Sequence, residues 1–176
     1  MDDNHNNDDW AMEQEVEDND QVMPSSVELI CSPNDFNCRT YYEFIQKKTF
    51  KIPAWQRGFV WDKKRASRLI ESFIIGVPVP QIFILESKNE KTIIDGQQRL
   101  LSLYFFFKNV YPKKKFTEEY RKNRGVIYME EKLKDHTIFE QNFQLKLGTN
   151  NNLNGKNIED LRESGENQKF ELTTLR

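Results

Sequence analysis

Residues 93–101 read IIDGQQRLL, and the rest of the chain is interpreted around this stretch. Its isoleucines suit the end of a buried strand, Asp95 and Gly96 suit a turn, and the following residues suit the first turn of a helix. The start of a helix presents unpaired N–H groups and the positive end of the helix dipole, and Arg99 adds a cation, so the joint is a candidate phosphate site. The alternative is a structural joint in which Asp95 caps the helix and Arg99 faces water.

The segments on either side of this turn predict a hairpin and a buried helix. Residues 81–86 (QIFILE) and 91–94 (KTII) suit two antiparallel strands, with residues 87–90 as their turn. From Gln97 to about Asn109 the sequence is apolar on nearly all sides, which predicts a central helix. A polar opening on a buried helix needs an explanation, and this favours a functional site over a structural joint.

Another helix is predicted before the hairpin. Asp62 suits its N-cap, Gly76 suits the residue after its last turn, and Pro78 prevents its continuation. The apolar face consists of Ala66, Leu69, Ile70, Phe73 and Ile74. The opposite face, typical of a solvated surface, carries Lys63, Lys64, Arg65 and Arg68.

The remaining elements are shorter. Residues 35–48 show apolar side chains at helical spacing and predict a packing helix, and residues 50–52 predict a short strand before Pro53. Further strands are predicted at residues 143–147 and 169–172, with an asparagine-rich loop at residues 148–155. Together these elements predict an α+β domain.

Residues 52–61 (IPAWQRGFVW) place two tryptophans and a phenylalanine around Gln56 and Arg57. Aromatic side chains can wall a pocket while an amide and a guanidinium point into it, because arginine presents a planar fork of donors suited to phosphate. The alternative is that the aromatic residues belong to the core and that Arg57 stacks on one of them as a cation–π pair.

Charge is distributed unevenly along the chain. Residues 1–23 contain nine acidic residues and no Lys or Arg, which leaves 26 basic and 19 acidic residues, a net charge of +7, in the remainder. This composition predicts a disordered acidic tail over residues 1–27 and a single domain over residues 28–176. The role of the tail is open between a solubilising leader and a competitor for an anionic ligand.

Several classes of protein are excluded by composition. Two cysteines and two distant histidines, His5 and His136, argue against a disulfide scaffold, a zinc site and a histidine-based nuclease centre. No segment approaches the roughly 18 apolar residues of a membrane span, and the amino terminus is acidic where a signal peptide is basic. We therefore expect a soluble cytoplasmic protein without a membrane partner.

Residues 111–124 are basic and interleaved with aromatic residues, which predicts either contact with a nucleic-acid backbone or a solvated loop. The candidate DNA contacts are Lys113, Lys114, Lys115, Arg121, Lys122 and Arg124.

Residues 52–61, 69–85 (LIESFIIGVPVPQIFIL) and 93–103 (IIDGQQRLLSL), in this order, resemble the ParB/sulfiredoxin-like family with a DGQQR motif. That family forms the N-terminal module of GmrSD-type, modification-dependent restriction enzymes and related phage-defence proteins. The resemblance runs from about residue 50 to residue 109, with a looser similarity at residues 157–161 and 169–172. It implies a small mixed sheet packed by helices that binds, and in several members hydrolyses, nucleoside triphosphates (NTPs), coupled to DNA cleavage or modification sensing by other domains.

Carried onto this sequence, the resemblance implies an NTP site. Its nucleotide-binding residues would be Gln56, Arg57, Asp95, Gly96, Gln97, Gln98 and Arg99. We assign Arg99 and the backbone of residues 96–98 to phosphate, and Arg57 to a second phosphate or to transition-state charge. Gln97 or Gln98 would orient a water, and Asp95 would hold Mg²⁺ or act as a general base. The candidate catalytic residues are Asp95, Gln98 and Arg99. No Walker A loop is present, so NTP chemistry would be of a non-P-loop kind.

The sequence departs from the family pattern in two ways. An FxxxN element usually follows well beyond DGQQR, and residues 105–109 fit its letters but lie too early. The paired histidines of the C-terminal HNH nuclease part found in many members are also missing. We therefore expect a truncated or short relative that acts with a separate nuclease domain or subunit.

Three function classes follow from this reading. The first is an NTP-binding regulatory module of a DNA restriction or defence system, with NTP hydrolysis as its enzymatic form. The second is a DNA-binding or DNA-nicking domain, although the carboxylate cluster of a metal nuclease is not visible near Asp95. The third is a catalytically inactive interaction module.

Overall fold

The computed structural model describes residues 32–51, 53, 56–87, 90–113, 116, 135–165 and 174–175. The predicted tail at residues 1–27, the predicted strand at residues 169–172 and Trp55 lie outside these residues. Within them, no helix is both long enough and apolar enough to cross a membrane.

The described part of the chain is an α+β fold, as predicted. Its elements in chain order are β1 (Phe36–Asn37), α1 (Cys38–Gln46), β2 (Phe50–Lys51), α2 (Lys63–Ile75), β3 (Phe83–Ser87), β4 (Glu90–Asp95), α3 (Gln97–Phe107), β5 (Val110–Pro112), β6 (Phe139–Gln141), α4 (Ile158–Glu163) and β7 (Thr174–Leu175).

The main sheet is small and mixed, with strand order β2-β4-β3. β2 runs parallel to β4, with Phe50 opposite Lys91, and β3 runs antiparallel to β4, with Ile84 opposite Ile93. The predicted hairpin is thus confirmed, and β4 delivers Asp95 to an end of the sheet. Two antiparallel pairs, β1 with β7 and β5 with β6, lie outside this sheet.

α3 is the central helix, as predicted, although it ends at Phe107 rather than near Asn109. All of its residues except Arg99 are buried, and it packs against α1, α2 and β5. Phe105 shows how the core is built, because its ring makes an edge-on contact with Phe59 at 5.3 Å between centroids. Aromatic packing of this kind contributes beyond the apolar area that it buries. The helix therefore fixes the position of its own polar first turn.

α2 also follows its sequence signals. The Arg65 backbone N–H donates to Asp62 Oδ1 at 2.7 Å, which makes Asp62 the N-cap, and Gly76 ends the helix in the left-handed conformation with φ 77°. Ala66, Leu69, Ile70 and Phe73 of the predicted apolar stripe are buried, and Ile74 is half-buried. The cationic side is mostly exposed. Both boundaries were predictable because each depends on one residue next to the helix.

A further predicted helix boundary and one predicted strand are also wrong. The first helix begins at Cys38 because the Asn37 side chain caps it, accepting from the Thr40 N–H at 2.8 Å. The segment 143–147 is not a strand, because its backbone bonds to a loop and to a side chain: Leu145 and residues 155–156 exchange hydrogen bonds, and the Lys146 N–H donates to Ser67 Oγ at 2.8 Å. The strand of this region is β6, which pairs with β5.

The looser similarity at residues 157–161 corresponds to the start of α4. Asn157 caps this helix by accepting from the Glu159 and Asp160 backbone N–H groups, and the Asp160 side chain accepts in return from the Asn157 N–H at 2.7 Å. This reciprocal pair is a capping box.

Candidate functional site

The turn from β4 to α3 depends on glycine. Gly96 is the N-cap of α3, has φ 93° and is buried. A Cβ atom there would lie 2.8 Å from Ile82 Cγ1, closer than atoms pack, and 3.2 Å from Arg99 Nη2. No side chain caps the helix, so the alternative in which Asp95 is the cap is wrong. The start of α3 therefore has no side-chain N-cap of the kind that Asp62 gives α2.

The Arg99 guanidinium is held inside the turn. Its Nη2 donates to Asp95 Oδ2 at 2.8 Å and to the Gln81 carbonyl at 2.7 Å, and its side chain is only 15% exposed. Arg99 Nε is buried without a hydrogen-bond partner among the described residues. The Asp95 side chain, by contrast, is 65% exposed. The alternative in which Arg99 merely faces water is therefore wrong, and its structural partner is Asp95.

Two glutamines on the first turn of α3 bind the loop that precedes α2. Gln98 is buried, its Nε2 donates to the Gly58 carbonyl at 3.0 Å, and its Oε1 accepts from the Val60 N–H at 2.9 Å and the Trp61 N–H at 3.3 Å. Gln97 is also buried, and its Nε2 donates to the Arg57 carbonyl at 3.0 Å. These amides supply hydrogen-bond partners for backbone groups of an irregular loop, including the carbonyl of the buried Gly58.

Gln56 completes the same connection from the loop side. Its Nε2 donates to the carbonyls of Ile93 at 2.7 Å and Ile94 at 3.0 Å, at the end of β4. Arg57 follows at once, and its side chain is exposed. No partner of the Arg57 guanidinium is found within the part of the chain that the structure describes. The two sequence motifs, about 40 residues apart, thus meet in one place.

The aromatic residues of residues 52–61 that the structure describes form core rather than a pocket wall. Phe59 is buried against Phe105 and Tyr111. The cation over the Trp61 ring is Arg65, at 4.7 Å, and not Arg57. The Tyr111 hydroxyl donates to the Trp61 carbonyl at 2.8 Å, and burial, with further contributions from acidic neighbours, raises the pKa of Tyr111 above its usual range. This tyrosine is a second support of the loop.

Three features of this site were missed at the sequence level. The Gln81 carbonyl and the Ile82 side chain form one side of the Asp95 turn, and Tyr111 anchors the loop from β5. The closest signal was the proline pair at residues 78 and 80, which follows the end of α2 at Gly76 and precedes the first strand of the hairpin. No local pattern marks a carbonyl as a partner of a distant arginine.

Asp95 is the only predicted metal ligand, and no group of three or more His, Cys, Asp or Glu side chains that could hold a metal occurs within the described residues. Of the six predicted DNA contacts, the structure describes Lys113 alone. Its side chain is exposed, and its Nζ donates to the His136 carbonyl at 2.7 Å. The other five, Lys114, Lys115, Arg121, Lys122 and Arg124, lie outside the described residues.

The chain matches a known protein family. The family model described as GmrSD restriction endonuclease, N-terminal domain matches residues 41–175. Neither the curated proteins nor the solved structures contain a match. The matched range includes the Gln56–Arg57 loop, the Asp95–Arg99 turn and the cationic face of α2.

Proposed function

The chain belongs to the family of N-terminal domains of GmrSD restriction endonucleases, and we propose that it serves its restriction system as a nucleotide-binding module. In this proposal an NTP binds with its phosphates at the turn from β4 to α3. The loop that carries Arg57 forms the other side of the site.

The observation that carries the proposal is the way in which three glutamine amides join two distant segments. Gln97 and Gln98 bond to the backbone of the Arg57 loop, and Gln56 bonds to the end of β4. Six hydrogen bonds from three side chains hold a loop that is otherwise irregular. Such preorganisation is what a binding site needs, because the cost of ordering the loop is met before the ligand arrives. It supports a positioning role for the glutamines, and the assignment of one of them to a water stays a prediction.

The charges at this place suit a phosphate. Arg57 is an exposed cation, and the positive end of the α3 dipole lies at a helix start whose N-cap, Gly96, has no side chain, which favours an anion. Arg99 is close to the turn but already donates to Asp95. Phosphate oxygens would compete with the Asp95 carboxylate for the same guanidinium, which makes the Asp95–Arg99 pair the element that responds to the ligand.

Asp95 fits the Mg²⁺ that accompanies NTPs. In proteins this ion takes one or two carboxylates and completes its shell with water and phosphate oxygens. In the Asp95–Arg99 pair the Asp95 carboxyl is the more exposed group, so it can reorient toward an ion while the backbone of the turn stays in place. The same carboxylate is the candidate general base for hydrolysis.

Calorimetric titration with ATP, GTP, CTP and UTP in the presence of Mg²⁺ tests the proposal directly. Arg57→Ala is the primary variant, because its side chain is exposed and we expect its removal to leave the fold intact. We expect at least roughly tenfold weaker binding, since charge-assisted hydrogen bonds contribute about 1.5–3 kcal/mol. Arg162→Ala, which removes an exposed cation from α4, is the matched control.

Phosphate release measured on the same samples distinguishes NTP hydrolysis from nucleotide binding without hydrolysis. Binding with release that is lost in Asp95→Ala makes the domain an NTP hydrolase. Binding without release makes it a nucleotide sensor. A folded wild-type protein that binds none of the four nucleotides contradicts the proposal and favours the interaction module.

A further inference from the structure

The exposed side of α2 forms one wall of an open cleft of about 440 Å³. Lys64, Arg68 and Glu71 line it from α2, and Leu147, Gly148, Asn150 and Asn151 line it from the other side. The facing segment contributes the amides of Asn150 and Asn151. It lies at a different place in the chain from the Asp95 turn and from the basic segment at residues 111–124.

The two cations that line this cleft, Lys64 and Arg68, are not engaged in ion pairs with other described residues. Arg68 and Glu71 are three residues apart, a spacing at which helical side chains commonly pair. The Glu71 carboxylate instead accepts a hydrogen bond from the Asn151 amide across the cleft. Neither Lys64 nor Arg68 makes an ion pair with another described residue. On α1 the opposite holds, since Glu43 pairs with both Arg39 and Lys47.

Two further exposed cations lie on α2 or next to it in the structure. The Ser67 hydroxyl accepts from the Lys146 N–H at 2.8 Å, which places Lys146 against α2 with its side chain exposed. Arg65, also exposed, stacks over the Trp61 ring at 4.7 Å. We call Lys64, Arg65, Arg68 and Lys146 the α2 basic surface.

We propose that the α2 basic surface binds the phosphate backbone of a nucleic acid. Side chains four residues apart on a helix have Cβ atoms roughly 5–6 Å apart, so Lys64 and Arg68 reach neighbouring phosphates of one strand. A polyanion satisfies several unpaired cations at once, which a single bound ion does not. The asparagine amides beside the cations can donate to phosphate or sugar oxygens, the usual positioning contacts of such interfaces.

The test is the salt dependence of binding to a fluorescein-labelled 20-base-pair DNA duplex, measured by fluorescence anisotropy from 50 to 300 mM KCl. Each lost phosphate contact lowers the slope of log K against log salt by about 0.9. Lys64→Gln combined with Arg68→Gln should therefore reduce the slope by about 1.8 and weaken binding at 0.1 M salt by roughly tenfold or more. Lys64→Arg with Arg68→Lys should retain the wild-type slope.

The matched control removes the same net charge elsewhere, by Lys47→Gln at the C-cap of α1 and Arg162→Gln on α4, both exposed. It should keep the slope within the error of the measurement. Equal losses in the two double variants, or no loss in either, overturn the proposal, as does a wild-type protein without salt-dependent binding. Stronger binding to polyglutamate than to DNA would mean that the α2 basic surface recognises an acidic protein, and this result likewise overturns the proposal. None of these outcomes depends on nucleotide binding at the Asp95 turn.

Discussion

α2 and α3 are neighbouring helices of similar length that begin in opposite ways. α2 starts at a side-chain cap, Asp62, which accepts from an N–H three residues later. The cationic face of α2 is mostly exposed to solvent. α3 starts at Gly96 without a side-chain cap, and all of its residues except Arg99 are buried. Its polar first turn is bound instead by the loop at residues 56–61.

The difference shows where each helix obtains its stability. The start of α2 is stabilised by a local hydrogen bond, because the cap Asp62 and its donor Arg65 are three residues apart. The start of α3 is stabilised by tertiary contacts, since Gln97 and Gln98 form hydrogen bonds with groups 37 to 40 residues away. A helix start held in this way is sensitive to every element that holds it, which suits a site whose geometry must be built from several segments.

The largest expected effect compares the two glycines that flank these helices. Gly96→Ala places a Cβ 2.8 Å from Ile82 Cγ1 in a left-handed backbone, whereas at Gly76 a Cβ meets nothing within 4 Å. Left-handed strain of roughly 1–2 kcal/mol applies to both variants, and overpacking of about 1–3 kcal/mol only to Gly96→Ala. Urea unfolding should thus show a loss of roughly 2–5 kcal/mol for Gly96→Ala. Equal losses would mean that Ile82 moves away without cost.

Gln98→Ala tests the long-range support of α3. It leaves the Gly58 carbonyl and the Val60 N–H without their partner, and an unsatisfied buried group costs about 1–3 kcal/mol. We expect the free energy of unfolding to fall by about 2–3 kcal/mol on that basis, together with weaker nucleotide binding. Gln144→Ala, at an exposed glutamine, is the control and should stay within about 0.5 kcal/mol of wild type. A Gln98 variant as stable as the control would show that the loop is held by other contacts.

Tyr111→Phe tests the second support of the same loop through pH. The variant loses the hydrogen bond to the Trp61 carbonyl, at a cost of about 1–2 kcal/mol near pH 8. Because the folded pKa of Tyr111 lies above the unfolded value of about 10, the hydroxyl contributes fully below pH 10, and its contribution falls as the pH rises toward the folded pKa. The stability difference between wild type and variant should therefore shrink above pH 10 in chemical unfolding. A constant difference up to pH 11 would contradict this.

The smallest effect is expected at the local cap. Asp62→Ala removes the acceptor of the Arg65 N–H and should lower stability by about 1 kcal/mol, the usual value of an N-cap. Calorimetric titration of this variant should give wild-type nucleotide affinity, because the cap does not touch the Asp95 turn. A change in affinity as large as that of Gln98→Ala would remove the distinction between the two helix starts.

The sequence determined the elements whose signals are local. Asp62, Gly76 and the apolar stripe between them define α2, the hairpin follows from alternation around a polar turn, and the continuous apolar run defines α3. The family followed from three ordered motifs, and the family match confirms it. The prediction of a strand at residues 143–147 is wrong. Phe143 and Leu145 are buried in alternation as in a strand, but the segment has no partner strand among the described residues.

Only the tertiary structure decided what the site residues touch. The sequence placed Gln98 and Arg99 on the first turn of a helix, but their partners, the Gly58 and Gln81 carbonyls, lie 40 and 18 residues away. Glu71 on α2 likewise accepts from Asn151, which lies 80 residues along the chain, and not from Arg68. Hydrogen bonds to distant groups leave no periodicity in a sequence, because they are set by how the elements pack and not by how each of them forms.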